Sequence, residues 1–252
     1  MRTTAAVLAL TAILLPCGCG VRNYFDERPA AAIYVLVDVS SSTGSEGIRS
    51  QMQKDYAAVL SAWASTSGLL RGDVIGSDVL NASTVPIRGD IPAPNNVMSD
   101  EETHQKKEVV PAVAAARKQF EQVLAGPSSD RTEILNALSV AARVLDSGEA
   151  KEAKRKVLVI FSDMVEESQL YNFRRDELSD KRISAIIAAE RASGRLPDLN
   201  GVHVWKAGAS TLNVSDVKQR QIQKFWVQYF AATGAEINPD HYGASLVDFS
   251  LN

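Results

Sequence analysis

The chain has 252 residues, of which 45% are hydrophobic and 23% are charged, and these proportions are typical of a soluble globular protein. Its 15 Gly and 9 Pro exclude collagen-like repetition and extended disorder. The formal net charge of −3 gives no general attraction to nucleic acid or to an anionic membrane surface. Both cysteines, Cys17 and Cys19, lie near the amino terminus, which excludes a disulfide framework and a cysteine-based zinc site in the rest of the chain.

Residues 1–19 have the pattern of an export signal. Arg2 supplies a short positive segment, and the apolar run over 5–15 is shorter than the roughly 20 residues that a membrane span needs. The Gly-Cys pair that ends at Cys19 resembles a bacterial lipoprotein signal, in which the cysteine is lipidated and becomes the first mature residue. We therefore expect a lipid anchor at Cys19 and a tether over 20–30. Processing at Cys17 and a plain secretory signal remain open alternatives.

The remainder, 31–252, is expected to form one domain in which strand and helix signals alternate. A continuous apolar run over 31–39 predicts a strand buried on both faces, and 46–66 repeats apolar residues at helical spacing. The later predicted elements are a strand over 73–80, an irregular excursion over 84–96, helices over 99–124 and 132–145, a strand over 156–161, a helix over 176–193, a strand over 202–205, a helix over 215–233 and a last strand over 244–249. This alternation predicts an α/β fold, with a doubly wound, mostly parallel central sheet and helices on both faces.

Three loops expected at one edge of that sheet carry oxygen-bearing side chains. In open α/β sheets, ligands bind beyond the carboxyl ends of the strands. The first loop places Asp38, Ser40 and Ser42 at alternating positions, so that their oxygens can share one side of a turn. Thr132 and Asp163 belong to the second and third loops. Because Mg²⁺ prefers about six oxygen ligands, some of them water, this set predicts a Mg²⁺ site, with Mn²⁺ and Ca²⁺ as alternatives.

On these residues the chain resembles a von Willebrand factor type A (VWA) domain with a metal-ion-dependent adhesion site. The five motif positions of that site fall on Asp38, Ser40, Ser42, Thr132 and Asp163. The resemblance covers roughly residues 31–249, and it departs from the family at Met164, where many relatives have glycine. It implies a Rossmann-like sheet and a protein partner whose Asp or Glu carboxylate completes the coordination of the metal.

An enzymatic function is not expected. The chain has no Gly-x-Ser-x-Gly elbow, no Walker A sequence and no Gly-x-Gly-x-x-Gly loop. The main enzymatic alternative is a Mg²⁺-dependent phosphohydrolase with Asp38 as nucleophile. Ser40 stands where that chemistry needs a second carboxylate as acid/base, and a hydroxyl cannot shuttle protons near neutral pH. A structural envelope component, in which the metal only fastens the loops, is a further alternative.

Two other signals are weaker. The tripeptide Arg-Gly-Asp, which integrins recognise in some ligands, occurs at 71–73 and 88–90. We expect the first copy to be a turn and the second to be exposed between prolines. Glu166 and Glu167 are expected to start a helix or to face solvent, and an effect on the charge at the rim of the metal site is the alternative. Taken together, the sequence predicts an exported, lipid-anchored, metal-dependent protein-binding domain on the periplasmic side of the cell envelope.

Overall fold

The structure is a computed structural model that describes residues 28–77, 86–94, 100–208 and 214–251. The predicted export signal, the lipidation site Cys19 and most of the tether lie outside the described residues. Among the helices that are described, none is long and apolar enough to cross a membrane.

One sheet organises the described part of the chain. Its strands are β1 (Ala31–Asp38), β2 (Gly68–Ile75), β3 (Ile87–Ile91), β4 (Arg155–Phe161), β5 (Val202–Ala207) and β6 (Glu236–Tyr242). They are ordered β3-β2-β1-β4-β5-β6 across the sheet. Neighbouring strands are parallel except for β2 and β3, which are antiparallel. The predicted α/β class with a mostly parallel sheet is confirmed.

Helices connect the strands. They are α1 (Glu46–Ala64), α2 (Glu101–His104), α3 (Val110–Ala125), α4 (Ile134–Leu145), α5 (Gly148–Glu152), α6 (Asp180–Ala192) and α7 (Asp216–Thr233). A π-helical turn, Gln105–Val109, joins α2 to α3. Ser45, Ser179 and Ser215 begin α1, α6 and α7 by accepting a backbone N–H of the first turn. Gly234, at φ +78°, ends α7.

The core lies on both faces of the sheet, as a doubly wound fold requires. Every residue of β1 is buried, and successive side chains point to opposite faces. Tyr34 and Leu36 belong to a cluster with apolar residues of α4, α6 and α7. Ile33 and Val35 belong to a second cluster with residues of α1 and α3, including the fully buried Trp63. The two clusters explain why β1 reads as an unbroken apolar run.

Two strand predictions are wrong. The strand predicted over 73–80 is β2, which begins five residues sooner because Gly68 to Leu70 pair with the buried start of β1. The last strand is β6 rather than 244–249. β6 is a largely exposed edge strand and has no apolar run, so its sequence does not reveal it. Leu246 and Phe249, which suggested a strand, instead pack against the second core cluster.

The two Arg-Gly-Asp tripeptides lie opposite each other on β2 and β3, so the predicted turn at 71–73 is corrected. The irregular excursion predicted over 84–96 is corrected where it is described, because 87–91 form β3. Arg71 pairs with Arg88 across the antiparallel strands. The Arg71 guanidinium donates to the Gly89 carbonyl at 2.8 Å and to Asp90 Oδ1 at 2.7 Å. A Cβ atom on Gly89 would lie 2.5 Å from the ring of Trp63. These contacts give both tripeptides a structural role.

Candidate metal centre

Asp38 and Asp163 lie at the carboxyl ends of the two central strands. Asp38 is the last residue of β1, and Asp163 follows the end of β4 by two residues. The chain continues from β1 toward β2 and β3 on one side, whereas β4, β5 and β6 extend the sheet on the other. The strand order therefore reverses between β1 and β4. Such a switch point is where open α/β sheets form a crevice for a ligand.

The Asp38 carboxylate is held by one hydrogen bond to each oxygen. It is 1% exposed, and Oδ1 accepts the Ser40 N–H at 2.9 Å. Oδ2 accepts the Ser162 hydroxyl at 2.7 Å, and the same hydroxyl oxygen accepts the Met164 N–H at 2.9 Å. Each carboxylate oxygen has two lone pairs, so each retains one for a further ligand. Ser162 therefore fixes the orientation of Asp38 and connects the first loop to the third.

Ser40 and Ser42 lie together in the turn that follows β1. Their hydroxyl oxygens are 3.0 Å apart and share a hydrogen bond. A 3₁₀ turn, Ser41–Thr43, brings them to the same side. The Thr43 hydroxyl holds this turn by donating to the Asp38 carbonyl at 2.8 Å and to the Ser40 carbonyl at 2.9 Å. Ser40 is buried and Ser42 is half-buried, so solvent reaches the pair from the Ser42 side.

Thr132 lies in a loop that contacts both of the others. The Ser129 N–H donates to the Val39 carbonyl at 3.2 Å, which ties this loop to the first. Thr132 and Glu167 exchange two backbone hydrogen bonds, at 3.2 and 2.9 Å, which tie it to the loop of Asp163. Thr132 is 3% exposed. The structure thus brings the three loops that carry the proposed ligands to one edge of the sheet.

The two carboxylates of the site repel each other. Burial, and after it the charge of Asp163, raise the pKa of Asp38 to about 6, although the hydrogen bonds from Ser162 and Ser40 act in the opposite direction. Asp163 is 8% exposed, and its Oδ1 accepts the Val165 N–H at 3.0 Å. Neither carboxylate forms a salt bridge with a residue of the described part of the chain. A bound divalent cation would relieve this repulsion.

The donor set fits a hard cation. Within the residues described, no group of three or more His, Cys, Asp or Glu side chains is close enough together to hold a metal. A metal at this edge would therefore depend on two carboxylates, hydroxyl oxygens and water. Mg²⁺ accepts this mixture, since it keeps several waters and uses few carboxylates, whereas structural zinc sites use cysteine and histidine.

Met164 has a backbone conformation that suits glycine. Its φ is +62°, in the left-handed region, although its side chain is fully buried. Its N–H donates to Ser162 Oγ, and its carbonyl accepts the indole N–H of Trp226 at 2.8 Å. Position 164, where the sequence departs from the pattern it otherwise resembles, therefore requires a left-handed backbone. Two hydrogen bonds of the Met164 backbone hold the methionine in that conformation.

Glu166 is buried, and the expectation that it starts a helix or faces solvent is wrong. It has 0% exposure, and its Oε2 accepts the N–H groups of Ile134 at 2.8 Å and Leu135 at 3.1 Å. It therefore caps α4 from a distant part of the chain. Burial raises the pKa of Glu166 to about 8. A signal in the sequence is that two apolar residues, Met164 and Val165, precede Glu166 directly.

Lys206 is a buried cation that the sequence analysis did not single out. It lies on β5 with 0% exposure, and its Nζ donates to the Gly243 carbonyl at 3.0 Å. The Nζ is also 4.8 Å from the centroid of the Tyr242 ring. Burial lowers the pKa of Lys206 to about 7, and the charge of Asp163 opposes that change. The sequence carried a signal, since Lys206 lies between two buried apolar residues, Trp205 and Ala207.

Comparison with known proteins gives a similarity of structure only. No family model matches the chain, and no curated protein matches it. Among solved structures, human COPII-coat protein Sec24c is similar over 88% of this chain and 30% of its own, with 12% identity and a TM-score of 0.44. The pilus adhesin SpaC from Lactobacillus rhamnosus GG is similar over 87% of this chain and 28% of its own, with 14% identity and a TM-score of 0.45. The chain spans less than a third of either protein, and likeness at this level does not assign a function.

Proposed function

We propose that this protein is an exported, lipid-anchored, VWA-like domain that binds a protein partner through a divalent cation. The observation that carries the proposal is the pairing of two buried carboxylates, Asp38 and Asp163, at the switch point of the sheet, without a salt bridge in the described part of the chain. In the turn that follows Asp38, the hydroxyl oxygens of Ser40 and Ser42 lie 3.0 Å apart and could complete a coordination sphere. Mg²⁺ fits best, and Mn²⁺ and Ca²⁺ are the alternatives.

The proposed metal ligands are Asp38, Ser40, Ser42, Thr132 and Asp163. With two carboxylates, a divalent ion is not over-neutralised and still attracts an anionic group. When bound, it would supply a Lewis-acid position for an Asp or Glu side chain of the partner. Ser42 is the most exposed of the five proposed ligands, because the other four are buried. The partner would therefore approach the metal from the side of Ser42.

Calorimetry with Mn²⁺ and Mg²⁺ tests the metal site. We expect one site in the wild type, loss of binding in Asp38→Ala and unchanged binding in Asp146→Ala, because Asp146 lies at the exposed end of α4. Equal metal binding by the wild type and Asp38→Ala would overturn the proposal.

Labelling with a palmitate analogue tests the lipid anchor. Cys19→Ser should lose the label, and loss of the label only in Cys17→Ser would move the anchor to Cys17.

The role of the metal needs a second experiment. Capture of envelope proteins with and without EDTA should identify a partner that requires the cation. Asp163→Ala and Thr132→Ala should then lose that partner while melting close to metal-free wild type. Variants that bind the partner at wild-type strength would favour a metal that only fastens the loops. Hydrolysis of a phosphate ester that requires Mg²⁺ and Asp38 would favour the phosphohydrolase alternative.

A further inference from the structure

Lys206 lies beside the loop that carries the proposed ligand Asp163. β5 runs parallel to β4, and the Ala207 carbonyl at the end of β5 accepts the Ser162 N–H at 2.9 Å. Lys206 directly precedes Ala207, and Asp163 directly follows Ser162. The lysine and the aspartate therefore flank the hydrogen bond that joins the two strands at their carboxyl ends.

The ammonium group of Lys206 is buried among neutral groups. The residue has 0% exposure, and its Nζ donates to the Gly243 carbonyl at 3.0 Å and lies 4.8 Å from the centroid of the Tyr242 ring. The Gly243 N–H in turn donates to the Lys206 carbonyl at 3.1 Å, which fixes this contact from both sides. Lys206 forms no salt bridge within the described part of the chain. A buried cation without a paired anion is costly, so the fold needs an opposite charge near it.

Asp163 supplies that opposite charge. Burial lowers the pKa of Lys206 to about 7, and the charge of Asp163 acts in the opposite direction. Asp163 is itself buried, so its attraction to the ammonium is screened less than in water. Because the two groups attract each other without a salt bridge, Lys206 does not occupy a coordination position of the aspartate. The carboxylate remains available to a metal.

We propose that Lys206 is the built-in counter-ion of the metal centre, which stabilises its carboxylates in the absence of metal and weakens the binding of the divalent cation. A fixed positive charge near Asp163 offsets part of the repulsion between Asp163 and Asp38. The same charge repels an incoming cation. The effect on the metal rests on the proposed function, whereas the attraction between Lys206 and Asp163 does not.

The counter-ion would set how readily the centre takes up and releases its metal. Two buried carboxylates without a positive charge near them would bind the cation more tightly, but they would destabilise the metal-free fold. With Lys206 in place, the metal-free loops are stabilised and the bound metal is held less tightly. The centre would then exchange its cation rather than retain it permanently.

A double-mutant cycle in EDTA tests the attraction between Lys206 and Asp163 without any metal. Urea midpoints of the wild type, Lys206→Met, Asp163→Asn and the double variant are compared at pH 6.5. This pH lies above the pKa of Asp38, about 6, and below that of Lys206, about 7, so most of each group is charged. Asp163→Asn should raise the midpoint more in the Lys206→Met background, because Asp163 has lost its counter-ion there. An equal change in both backgrounds would contradict the proposal.

Calorimetry with Mn²⁺ at the same pH tests the effect on the metal. Lys206→Met should bind Mn²⁺ at least about twofold more tightly than the wild type. The gain should be larger for Tb³⁺, because a fixed charge repels a trivalent ion more strongly than a divalent one. Lys206→Gln keeps a donor for the Gly243 carbonyl without the charge and should show the same gain. Lys181→Met, at an exposed position of α6, should leave the affinity unchanged.

Thermal melting in EDTA verifies that the Lys206 variants fold. If folded Lys206→Met and Lys206→Gln bound Mn²⁺ no more tightly than the wild type, the proposal would be overturned, since a lysine that only packs gives that result. A wild type that binds no Mn²⁺ would instead contradict the metal site. The cycle in EDTA contains no metal and still tests the counter-ion, so the two proposals can fail separately.

Discussion

The hydroxyl of Ser162 donates a 2.7 Å hydrogen bond to Oδ2 of Asp38 and thereby joins the carboxyl ends of β1 and β4. Ser162 is fully buried, and its oxygen also accepts the Met164 N–H. The contact fixes the rotation of the Asp38 carboxylate, which is the first group that a metal at this edge would need.

Ser162→Ala should therefore weaken Mn²⁺ binding by about 10- to 100-fold, the usual effect of losing a group that orients a metal ligand. Ser162→Thr keeps the hydroxyl and should retain most of the affinity. Calorimetry measures both, and thermal melting in EDTA verifies that both variants fold. Wild-type affinity in folded Ser162→Ala would show that Asp38 needs no such support.

Asp38→Asn should stabilise the metal-free protein above pH 6. Burial raises the pKa of Asp38 from 3.8 to about 6, so the folded state binds more protons than the unfolded state between these values. The stabilisation from the protonated carboxyl is complete below pH 3.8 and is lost as the pH rises to about 6. Removing the charge should raise the free energy of unfolding at pH 7.5 by about 1–3 kcal/mol. Added Mg²⁺ should reverse the order by stabilising only the wild type.

Urea unfolding at pH 4 and pH 7.5, in EDTA and in Mg²⁺, measures the effect of Asp38→Asn. Asp146→Asn serves as the exposed control. An Asp38→Asn protein that is less stable than wild type in EDTA at pH 7.5 would contradict the proposed cost of the buried charge.

Glu166→Gln should gain stability relative to wild type as the pH rises. The pKa of Glu166 is raised from 4.5 to about 8, so the wild type loses stability over that interval. Glutamine keeps an oxygen that can accept the N–H groups of Ile134 and Leu135 and has no charge to bury. Glu166→Ala instead leaves α4 without its cap and should cost about 1–2 kcal/mol at pH 5. Unfolding curves of the wild type, Glu166→Gln and Glu166→Ala from pH 5 to pH 9 measure these free energies of unfolding. If the free energies of Glu166→Gln and wild type differed by the same amount at every pH, the predicted gain of Glu166→Gln with pH would be wrong.

Met164→Gly and Met164→Ala separate backbone strain from side-chain packing. Both substitutions remove a fully buried side chain, and each should destabilise the fold by about 2–5 kcal/mol before any relief of strain. Only glycine relieves the left-handed backbone at φ +62°, so Met164→Gly should be about 1 kcal/mol more stable than Met164→Ala. Chemical denaturation of the two variants measures the difference. A more stable alanine variant would mean that the backbone at this position relaxes when the methionine is lost.

The parts of the fold that sequence analysis predicted are those with an unbroken apolar pattern. β1 and β4 are buried on both faces, so nearly every residue had to be apolar, and their ends located Asp38 and Asp163. β6 escaped prediction because an edge strand needs little apolar surface, and its residues are largely exposed.

Buried charged groups were missed for a different reason. The burial of Glu166 depends on the start of α4, about thirty positions away in the chain, and a local pattern does not contain that contact. The burial of Lys206 likewise depends on the Gly243 carbonyl and the Tyr242 ring of the following strand. The alternating hydroxyls after Asp38 could suggest a metal site because Asp38, Ser40 and Ser42 lie within one short segment of the chain.

β1 runs from the end of the tether to Asp38, and this gives the domain a mechanical axis. In a chain anchored at its amino terminus, a partner held at the metal would pull on one end of β1 while the membrane holds the other. Force that enters through Asp38 would pass along the covalent backbone of β1, whereas force that enters through Asp163, beyond the end of β4, would reach β1 in shear across the hydrogen bonds that join β1 to β4. Parallel hydrogen bonds loaded in this direction must break as a group rather than one by one. With the proposed anchor and metal site, the central position of β1 would make this strand the direct path for force between the partner and the membrane.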